Sequence, residues 1–383
     1  MFKDATAIVG IGQTRFAKGL ADTELELACQ AVEAALADSG IAAHEVDALG
    51  SYTMEDTPEF ELARQMGFGP LHFFSRVHYG GGAGPGAVGQ VALAIAAGVA
   101  RVGVVWRSRK RADPSSRVWA NTAATVSDHW KWSRPSGLLR PVDEVALLAQ
   151  RYFHEHGDAR DALAEIAMQQ RRYANVNSAA CMRDKPLSRD DYFRARMIAD
   201  PLCLFDNCLE SDGAVALVIT GAQRAADCRE KPALIHAFSQ GLAPGHQLMT
   251  DYHRDDPFDS CSATTAANLW RQSDFGPMDV DVAQIYDAFS PLVLFSLESY
   301  GFCKRGAGAD FVRAGQLGPR GQLPTNTSGG SLSEAYIHGM NLIAEGVRQL
   351  RGQASTQIAD ARICLVTGCD STPNGALLLR SAP

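Results

Sequence analysis

The sequence lacks the features that mark several common classes of protein. Its nine cysteines are odd in number and include no Cys-x-x-Cys pair, so neither a disulfide framework nor a zinc site is indicated. The most apolar stretch, residues 91–100, is followed by Arg101 and is far shorter than the roughly 20 residues of a membrane span. The first residues do not form the apolar block of a signal peptide. We therefore expect a cytoplasmic protein without a membrane span.

Positively charged residues are also fewer than negatively charged ones. The chain has 36 Lys and Arg against 43 Asp and Glu, which gives a formal net charge of −7. Nucleic-acid binding needs a positive surface that neutralises phosphates, so the sequence argues against that function. With 46% hydrophobic residues and 35 glycines among 383 residues, the composition is that of a globular protein. The length suggests two or three compact units, or one large duplicated unit.

What the sequence does contain is an alternation of strand and helix signals. Residues 5–11 predict a strand, and Thr23 with Glu26 forms a capping-box pattern at the start of a helix that ends at Gly40. A glycine-rich turn at residues 80–84 precedes a second predicted helix and strand. Repeated units of this kind predict a mainly parallel sheet with helices on both faces.

The middle of the chain interrupts this alternation. The region from about residue 113 to residue 199 is more polar and carries two helical patterns, so we interpret it as an inserted cap. Strands and helices then alternate again, with a helix predicted over residues 336–350. We therefore predict two similar halves, residues 1–225 including the cap and residues 226–383. No group of side chains has convincing metal-ligand spacing, and we predict no metal site.

The glycine-rich turn formally matches a nucleotide-binding pattern. Gly84, Gly86 and Gly89 fit G-x-G-x-x-G before a helix, but Pro85 lies inside the loop and no acidic residue follows about twenty positions later. Glycines that allow close packing of a turn are the favoured explanation. In either case the start of a helix lies here, and its free N–H groups can face an oxyanion or a thioester carbonyl.

Two further segments place a tyrosine beside a tight turn. Tyr286 follows a predicted strand, and Tyr336 lies in a glycine-rich segment before the predicted helix. A phenol can give or take a proton, but its usual pKa of about 10 means that a base near neutrality needs a neighbouring donor, cation or helix dipole. The structural alternative for each tyrosine is a half-buried ring whose hydroxyl is hydrogen-bonded.

The order of these segments resembles the thiolase superfamily, and the sterol-carrier and lipid-transfer-protein branch most of all. The resemblance covers essentially the whole chain, and its strength lies in the series of motifs. These motifs are Ile8-Val-Gly-Ile-Gly12, Ala94-Ile-Ala-Ala-Gly98, Ser211-Asp-Gly-Ala214, Tyr286-Asp-Ala-Phe289 and Asn326-x-x-Gly329-Gly330. The resemblance implies an α/β protein with the duplicated five-layer αβαβα thiolase fold, usually a homodimer, with CoA thioesters as substrates.

Departures from the thiolase pattern decide the chemistry. The position of the thiolase nucleophile falls at about Gly81, and no cysteine lies between Cys29 and Cys181. Without a thiolate there, no acyl-enzyme can form at that position. Tyr286 replaces the usual histidine of one motif, and Tyr336 lies where a Gly-His-Pro segment is expected. Only the second thiolase cysteine is matched, by Cys369.

These replacements resemble a branch of thiolase-like aldolases that shorten steroid side chains and work with a DUF35-type OB-fold partner. The resemblance implies retro-aldol cleavage of a 3-hydroxyacyl-CoA, in steroids a 17-hydroxy side-chain thioester, to a 17-keto steroid and propanoyl-CoA. It also implies a heterotetramer with the partner. A thioester is itself the electron sink, so neither a Schiff-base lysine, a metal nor a covalently bound cofactor is required, and coenzyme A enters as part of the substrate.

We assign roles to the residues of this site as predictions. Tyr336 is the predicted base, at a helix start that can lower its pKa, and Tyr286 is the second proton-transfer group. Asp287 either orients a neighbour or caps a turn. His338 either serves the site or lies on the surface. Predicted contacts with the substrate or its CoA come from a set of backbone and amide positions, namely Gly81, Gly82, Asn326, Gly329 and Gly330.

Other interpretations stay open at this point. The chain can be a non-catalytic acyl-CoA or lipid-binding subunit, or a residual thiolase that uses Cys369, although a packed, inert thiol is favoured for that residue. The basic segment at residues 107–111 can meet CoA phosphates or an acidic partner surface. A solvated loop after a strand is the favoured explanation of that segment.

Overall fold

The computed structural model describes residues 2–111, 130–246 and 249–382. Its strands are β1 (Thr6–Gln13), β2 (Ala48–Tyr52), β3 (Phe73–Val77), β4 (Val102–Arg109), β5 (Met197–Ala199), β6 (Leu202–Cys203), β7 (Gly213–Gly221), β8 (Ala233–Gly241), β9 (Val282–Gln284), β10 (Ile363–Thr367) and β11 (Asn374–Ser381). Its α-helices are α1 (Glu24–Ser39), α2 (Glu59–Met66), α3 (Ala83–Ala96), α4 (Trp130–Ser133), α5 (Pro141–His156), α6 (Arg160–Val176), α7 (Arg189–Arg194), α8 (Ala222–Ala225), α9 (Cys261–Gln272), α10 (Ser290–Ser299), α11 (Gly308–Arg313), α12 (Gly330–Ser333) and α13 (Met340–Arg351). Residues 113–129 of the predicted cap lie outside the described residues.

Nine of the strands form one sheet, in the order β3-β2-β4-β7-β1-β8-β11-β10-β9. Strand β2 is parallel to β3 and β4, and β10 is parallel to β9. The other pairs in this sheet are antiparallel. The prediction of a mainly parallel sheet is therefore wrong. The reason is that β7 and β11 each run antiparallel to both of their neighbours, while β1 and β8 join the N-terminal and C-terminal strands as an antiparallel pair.

The helices divide this sheet into layers. Helix α1 covers the outer face of β1, β4 and β7, and α9 covers the outer face of β8 and β11. Helices α3 and α13 lie inside, and each contacts both N-terminal and C-terminal strands. The result is the five-layer αβαβα arrangement that the resemblance implies. The two inner helices bring the strand ends of both halves to one place.

Local signals at the first helix are confirmed. The Glu26 N–H donates to Thr23 Oγ1 at 3.2 Å, while the Thr23 N–H donates to the Glu26 carboxylate at 2.7 Å, and Gly40 ends the helix with φ 75°. Such caps depend only on residues a few positions apart. They are therefore visible in the sequence.

The helix predicted over residues 336–350 begins later than expected. His338 and Gly339 have φ values of 54° and 91°, which are left-handed conformations incompatible with a continuing α-helix. Helix α13 therefore starts at Met340. Tyr336 lies in the turn before it, so the prediction that this tyrosine sits at a helix start is wrong.

The described part of the cap, residues 130–199, packs across the C-terminal half of the chain. Helix α6 contacts α10, α11 and α12, while α5 lies beside the small β5–β6 pair. The cap thus forms one wall above the ends of the central strands. Among the described residues, no helix combines the length and the apolar character that a bilayer crossing requires.

Candidate active site

Tyr286 is held at the end of β9 by hydrogen bonds to its own backbone and that of its neighbour. Asn326 Oδ1 accepts from the Ile285 N–H at 2.7 Å, and Asn326 Nδ2 donates to the Ile285 carbonyl at 2.8 Å. The Tyr286 N–H donates to Thr367 Oγ1 at 3.1 Å. Asn326 is fully buried, so these bonds are shielded from water. The main chain before the tyrosine is therefore fixed on both sides.

Tyr336 is fixed by a different set of contacts. The carboxylate of Asp287 accepts from the Ser331 N–H at 2.9 Å and the Leu332 N–H at 3.2 Å, at the start of α12. The Tyr336 N–H donates to Ser211 Oγ at 3.2 Å. Burial raises the pKa of Asp287 to about 6. Of the two predicted roles for Asp287, the structure gives it the capping role, and that cap anchors the segment leading to Tyr336.

The two tyrosines meet through their hydroxyls. Tyr286 Oη and Tyr336 Oη are 2.7 Å apart, and both side chains are buried. Burial raises the pKa of both phenols above the usual value. For Tyr336 this increase is opposed by the hydrogen bond from Tyr286 and by the positive charge of Arg111. The charge of Arg111 therefore favours ionisation of Tyr336, but the predicted lowering of its pKa by a helix start is wrong.

Gly81 leaves the space that the Tyr286 hydroxyl occupies. A Cβ at position 81 would lie 2.3 Å from Tyr286 Oη and 2.5 Å from its Cζ. Real Cβ atoms do not approach other heavy atoms that closely, and an aromatic ring held at its backbone cannot swing aside cheaply. Glycine at 81 and tyrosine at 286 are thus a matched pair. The nucleophilic side chain of a thiolase cannot coexist with this phenol.

The tyrosines lie in a cavity of about 910 Å³. Its wall includes Gly81, Cys369 and His338 beside the two phenols. Basic residues surround this centre, namely Lys18, Arg111, Arg140, Arg171, Lys185 and Arg196. A mostly apolar interior with basic groups around it suits a bulky apolar substrate that carries phosphates. A second recess, of about 960 Å³ beside α1 and α2, shares no lining residue with this cavity.

The basic segment at residues 107–111 is not a solvated loop, so that interpretation is wrong. Arg107 and Arg109 form the end of β4, and Arg111 follows it. All three side chains are at most 5% exposed. The Arg107 guanidinium lies 3.9 Å from the Glu55 carboxylate and donates to the Tyr52 carbonyl at 3.0 Å. Alternate residues of a strand share one face, so three arginines two positions apart lie together.

Arg111 supplies a cation near the phenols. Its Nε is buried without a hydrogen-bond partner among the described residues. Its positive charge favours the ionised form of Tyr336 and so opposes the increase in pKa that burial causes. Its main-chain N–H donates to Asp212 Oδ1 at 2.6 Å, which fixes the backbone at this point. Sequence reasoning missed this role, and the only signal was the alternation of arginines after a buried strand.

His338 is 2% exposed, so its predicted surface alternative is wrong. Its Nδ1 lies 2.9 Å from Arg107 Nη2, and its carbonyl accepts from the Tyr52 hydroxyl at 2.8 Å. Its ring centroid is 5.6 Å from that of Tyr336 and 6.4 Å from that of Tyr286. Burial together with the charges of Arg107, Arg109 and Arg111 holds the pKa of His338 well below its usual value. The imidazole is therefore neutral.

Cys369 lines the cavity but is poorly suited to attack. Burial raises the pKa of its thiol to about 12, and Sγ donates to the Asp370 carbonyl at 3.3 Å. The thiolate is the nucleophilic form of cysteine, so almost none is present near neutrality. This agrees with a packed, inert thiol.

Four of the predicted substrate contacts are not found in the wall of the cavity. Gly82, Asn326, Gly329 and Gly330 are not among the described residues of its wall, whereas Gly81 is. A Cβ at Gly82 would lie 2.1 Å from the Pro373 carbonyl oxygen, and one at Gly330 would lie 2.3 Å from Asp287 Oδ2. These glycines permit close packing of the turns that carry the site. Direct contact between these four residues and the substrate is not supported by their position.

The prediction that no metal-ligating side chains cluster needs one correction. His246, Asp251 and Cys261 bring their ligand atoms within 4.8 Å of one another. Burial lowers the pKa of His246, but its bonds to Asp251 and Cys261 outweigh this and raise it to about 9. The Nη1 atom of Arg254 also lies 3.4 Å from Oδ2 of Asp251. An imidazolium paired with a carboxylate explains this cluster without an ion.

Two buried carboxyl groups brace the segment before Tyr336. Glu334 accepts from Ser328 Oγ at 2.7 Å, and Glu345 accepts from Thr327 Oγ1 at 2.6 Å. Burial raises the pKa of Glu345 to about 7. The folded protein therefore binds a proton at Glu345 that the unfolded chain releases at lower pH.

The pH dependence of stability follows from this shift. Because the folded pKa lies above the unfolded value of 4.5, the stabilisation is complete below that value and is lost as pH rises through about 7. Its full size is about 3 kcal/mol. We expect the free energy of unfolding to fall between pH 5 and pH 7.5, and to fall less in Glu345→Gln. Denaturant unfolding at several pH values measures this, with the exposed Glu33→Gln as the control for loss of one negative charge. Equal slopes in the wild type and Glu345→Gln would contradict the argument.

Comparisons with known proteins agree with this geometry. The thiolase C-terminal domain-like family matches residues 244–377. The 17-hydroxy-3-oxo-4-pregnene-20-carboxyl-CoA lyase of Mycobacterium tuberculosis is 41% identical over 387 residues, which cover 99% of this chain and 100% of that protein. The steroid side-chain-cleaving aldolase of Thermomonospora curvata is 41% identical over 382 residues, which cover 98% of this chain and 97% of that protein.

A solved structure shows the same likeness in three dimensions. The Ltp2-ChsH2(DUF35) aldolase superposes with a TM-score of 0.93 at 40% sequence identity. The match covers 99% of this chain and 98% of that one. The similarity therefore extends over the entire architecture, including both segments that carry the tyrosines.

Proposed function

Since this chain belongs to the steroid side-chain-cleaving aldolases of the thiolase superfamily, we propose that it is a carbon–carbon lyase acting on a 17-hydroxy steroid side-chain CoA thioester. The substrate carries a hydroxyl on C17 and the thioester carbonyl on C20. Breaking the C17–C20 bond gives a 17-keto steroid and propanoyl-CoA. Coenzyme A enters as part of the substrate, and no other cofactor takes part in this scheme.

One observation carries this proposal. Two buried phenols 2.7 Å apart occupy the cavity, and one of them fills the space beside Gly81. Acyl transfer through a covalent intermediate needs a nucleophile in that space. Retro-aldol cleavage instead needs proton transfer at two points of the substrate, which a hydrogen-bonded pair of phenols can provide.

The net proton movement of the reaction matches the phenol pair. The C17 hydroxyl loses a proton, the electron pair of the C17–C20 bond moves to the thioester carbonyl, and C20 of the resulting enolate gains a proton. Tyr336 accepts the hydroxyl proton and passes its own to Tyr286, which protonates C20. Because each phenol gives up one proton as it receives another, the raised pKa values of the free enzyme are not an obstacle.

Several groups of the cavity favour the negative charge that develops. The start of the 14-residue helix α3 follows Gly81, and its free N–H groups carry partial positive charge. Arg111 adds a full charge beside Tyr336. The basic residues Lys18, Lys185 and Arg196 suit the phosphates of coenzyme A.

We also propose a partner and an assembly. The related aldolase carries a DUF35 component, so a DUF35-type OB-fold protein is the proposed partner of this chain. The proposed assembly is a homodimer of this chain with two partner subunits, located in the cytoplasm. The partner would add contacts to the coenzyme A rather than supply the proton-transfer groups.

Product analysis tests the function directly. The purified chain, alone and with the DUF35-type protein, is incubated with 17-hydroxy-3-oxo-4-pregnene-20-carboxyl-CoA. We expect mass spectrometry to detect propanoyl-CoA and the 17-keto steroid in equal amounts, with faster release when the partner is present. Intact substrate in both reactions would reject the lyase.

The two alternatives find less support. A non-catalytic binder has no need for two hydrogen-bonded phenols inside the cavity. A residual thiolase needs a reactive Cys369, whose pKa burial raises to about 12. Formation of an S-linked acyl adduct on this chain would favour the thiolase.

A further inference from the structure

His338 offers a hydrogen-bond donor to the cavity that the scheme above does not use. The residue lies in the cavity wall beside both phenols. Its Nε2 has no acceptor among the described residues, whereas its Nδ1 contacts Arg107. A polar atom of a cavity-lining side chain that has no partner among the described residues can make its hydrogen bond to the substrate.

Arg107 decides which nitrogen of His338 carries the proton. A guanidinium offers N–H donors and no acceptor, so Nδ1 of the neutral imidazole must accept at 2.9 Å. The single ring proton is then on Nε2. Arg107 cannot turn away easily, because it also donates to the Tyr52 carbonyl at 3.0 Å and stacks over the Tyr52 ring at 4.8 Å.

We infer that the His338 Nε2–H donates to the thioester oxygen as the enolate forms, and that Arg107 is the positioning residue that fixes this tautomer. A neutral imidazole keeps its proton while it polarises a carbonyl, and a donor placed in advance favours the transition state over the ground state. No bond is made or broken by the histidine. The inference rests on the proposed lyase function and names the group that stabilises its enolate.

A half-reaction tests His338 separately from bond cleavage. Propanoyl-CoA in D₂O exchanges its α-protons through the same enolate, so the exchange rate reports enolate formation without cleavage of the C17–C20 bond. In His338→Asn we expect exchange and cleavage to fall together by about 10²- to 10³-fold in kcat, with KM changed less than about threefold. Asparagine tolerates the left-handed φ of 54° at this position. Wild-type rates in the variant would overturn the inference and leave the lyase intact, whereas a wild type that exchanges without cleaving would reject the lyase alone.

The tautomer itself can be measured without turnover. In protein labelled with ring-¹⁵N histidine, the signals lost in His338→Asn identify this ring. We expect Nδ1 of His338 to be unprotonated and Nε2 to carry the proton throughout the neutral pH range. A proton on Nδ1 would overturn the inference whether or not the protein is an active lyase.

Arg107 has its own readout. The charges facing His338 are Arg107, Arg109 and Arg111, and its ring otherwise meets phenols. Removing the nearest charge in Arg107→Met lets His338 gain a proton in mild acid, so a new acidic limb is expected in the pH profile of kcat. Arg107→Lys keeps a donor and a charge, and we expect it to lack this limb. Identical profiles for both variants would overturn the positioning role, and if Arg107→Met does not fold, the Lys variant and the tautomer measurement decide.

Discussion

Replacing Tyr336 with phenylalanine is expected to lower kcat for the cleavage by about 10²- to 10⁴-fold, because the substrate hydroxyl loses its proton acceptor. Tyr286→Phe should cause a loss of similar size, since the relay then has no donor to C20. The double variant should be little worse than either single variant, because the two phenols act as one chain of proton transfer. Single-turnover assays with quantified propanoyl-CoA measure all three.

A matched control separates chemistry from folding. Each substitution leaves one buried hydroxyl without its partner at 2.7 Å, a cost of about 1 kcal/mol that the fold should survive. Cys369→Ser changes another residue of the same wall, and we expect it to retain cleavage within about threefold. Full activity in the double phenylalanine variant would refute the proton relay. Loss of activity in Cys369→Ser alone would favour sulfur chemistry instead.

Restoring a cysteine at position 81 should abolish cleavage without creating a thiolase. The new Cβ would lie 2.3 Å from Tyr286 Oη, so the phenol must move away from Tyr336. Misplacement of a catalytic group by about 1 Å can cost roughly 10²-fold, and we expect Gly81→Cys to lose at least that factor in kcat. We expect Gly81→Ala to lose cleavage activity to the same extent, because the clash with Tyr286 comes from Cβ and not from the thiol.

The control for this substitution is a glycine with open space around it. Gly221 has an ordinary φ of −63°, and nothing lies within 4 Å of a Cβ built there. We expect Gly221→Ala to keep wild-type cleavage. Acyl transfer between CoA esters by Gly81→Cys, or wild-type cleavage by Gly81→Ala, would show that the phenol does not need this space.

The sequence predicted those elements whose causes are local. Thr23 and Glu26 are three positions apart, and their capping box is present as predicted. The start of helix α13, which follows Tyr336, could not be placed, because it depends on the left-handed turn at His338 and Gly339. A glycine at 339 permits that conformation but does not require it, and few non-glycine residues adopt it, so the residues around the turn did not reveal it.

The candidate site shows the same division. The substitution of tyrosines for the thiolase cysteine and histidine was visible in the sequence, and so was the vacancy at Gly81. The burial of Arg107 and Arg111 was not visible, because a basic run near a strand end is usually solvated. Here the run is buried, and Arg107 finds its partners there in the Glu55 carboxylate and the Tyr52 carbonyl.

The amino-acid sequence by itself determined which chemical groups this protein has available and the order in which its helices and strands follow, because capping, periodicity and residue identity are local properties. Only the tertiary structure decided how those groups act together. Tyr286 and Tyr336 are 50 positions apart, and Arg107 and His338 are 231 apart, yet each pair is in hydrogen-bond contact. Their protonation states depend on burial and on neighbouring charge, and both are set by packing between segments that are distant along the chain.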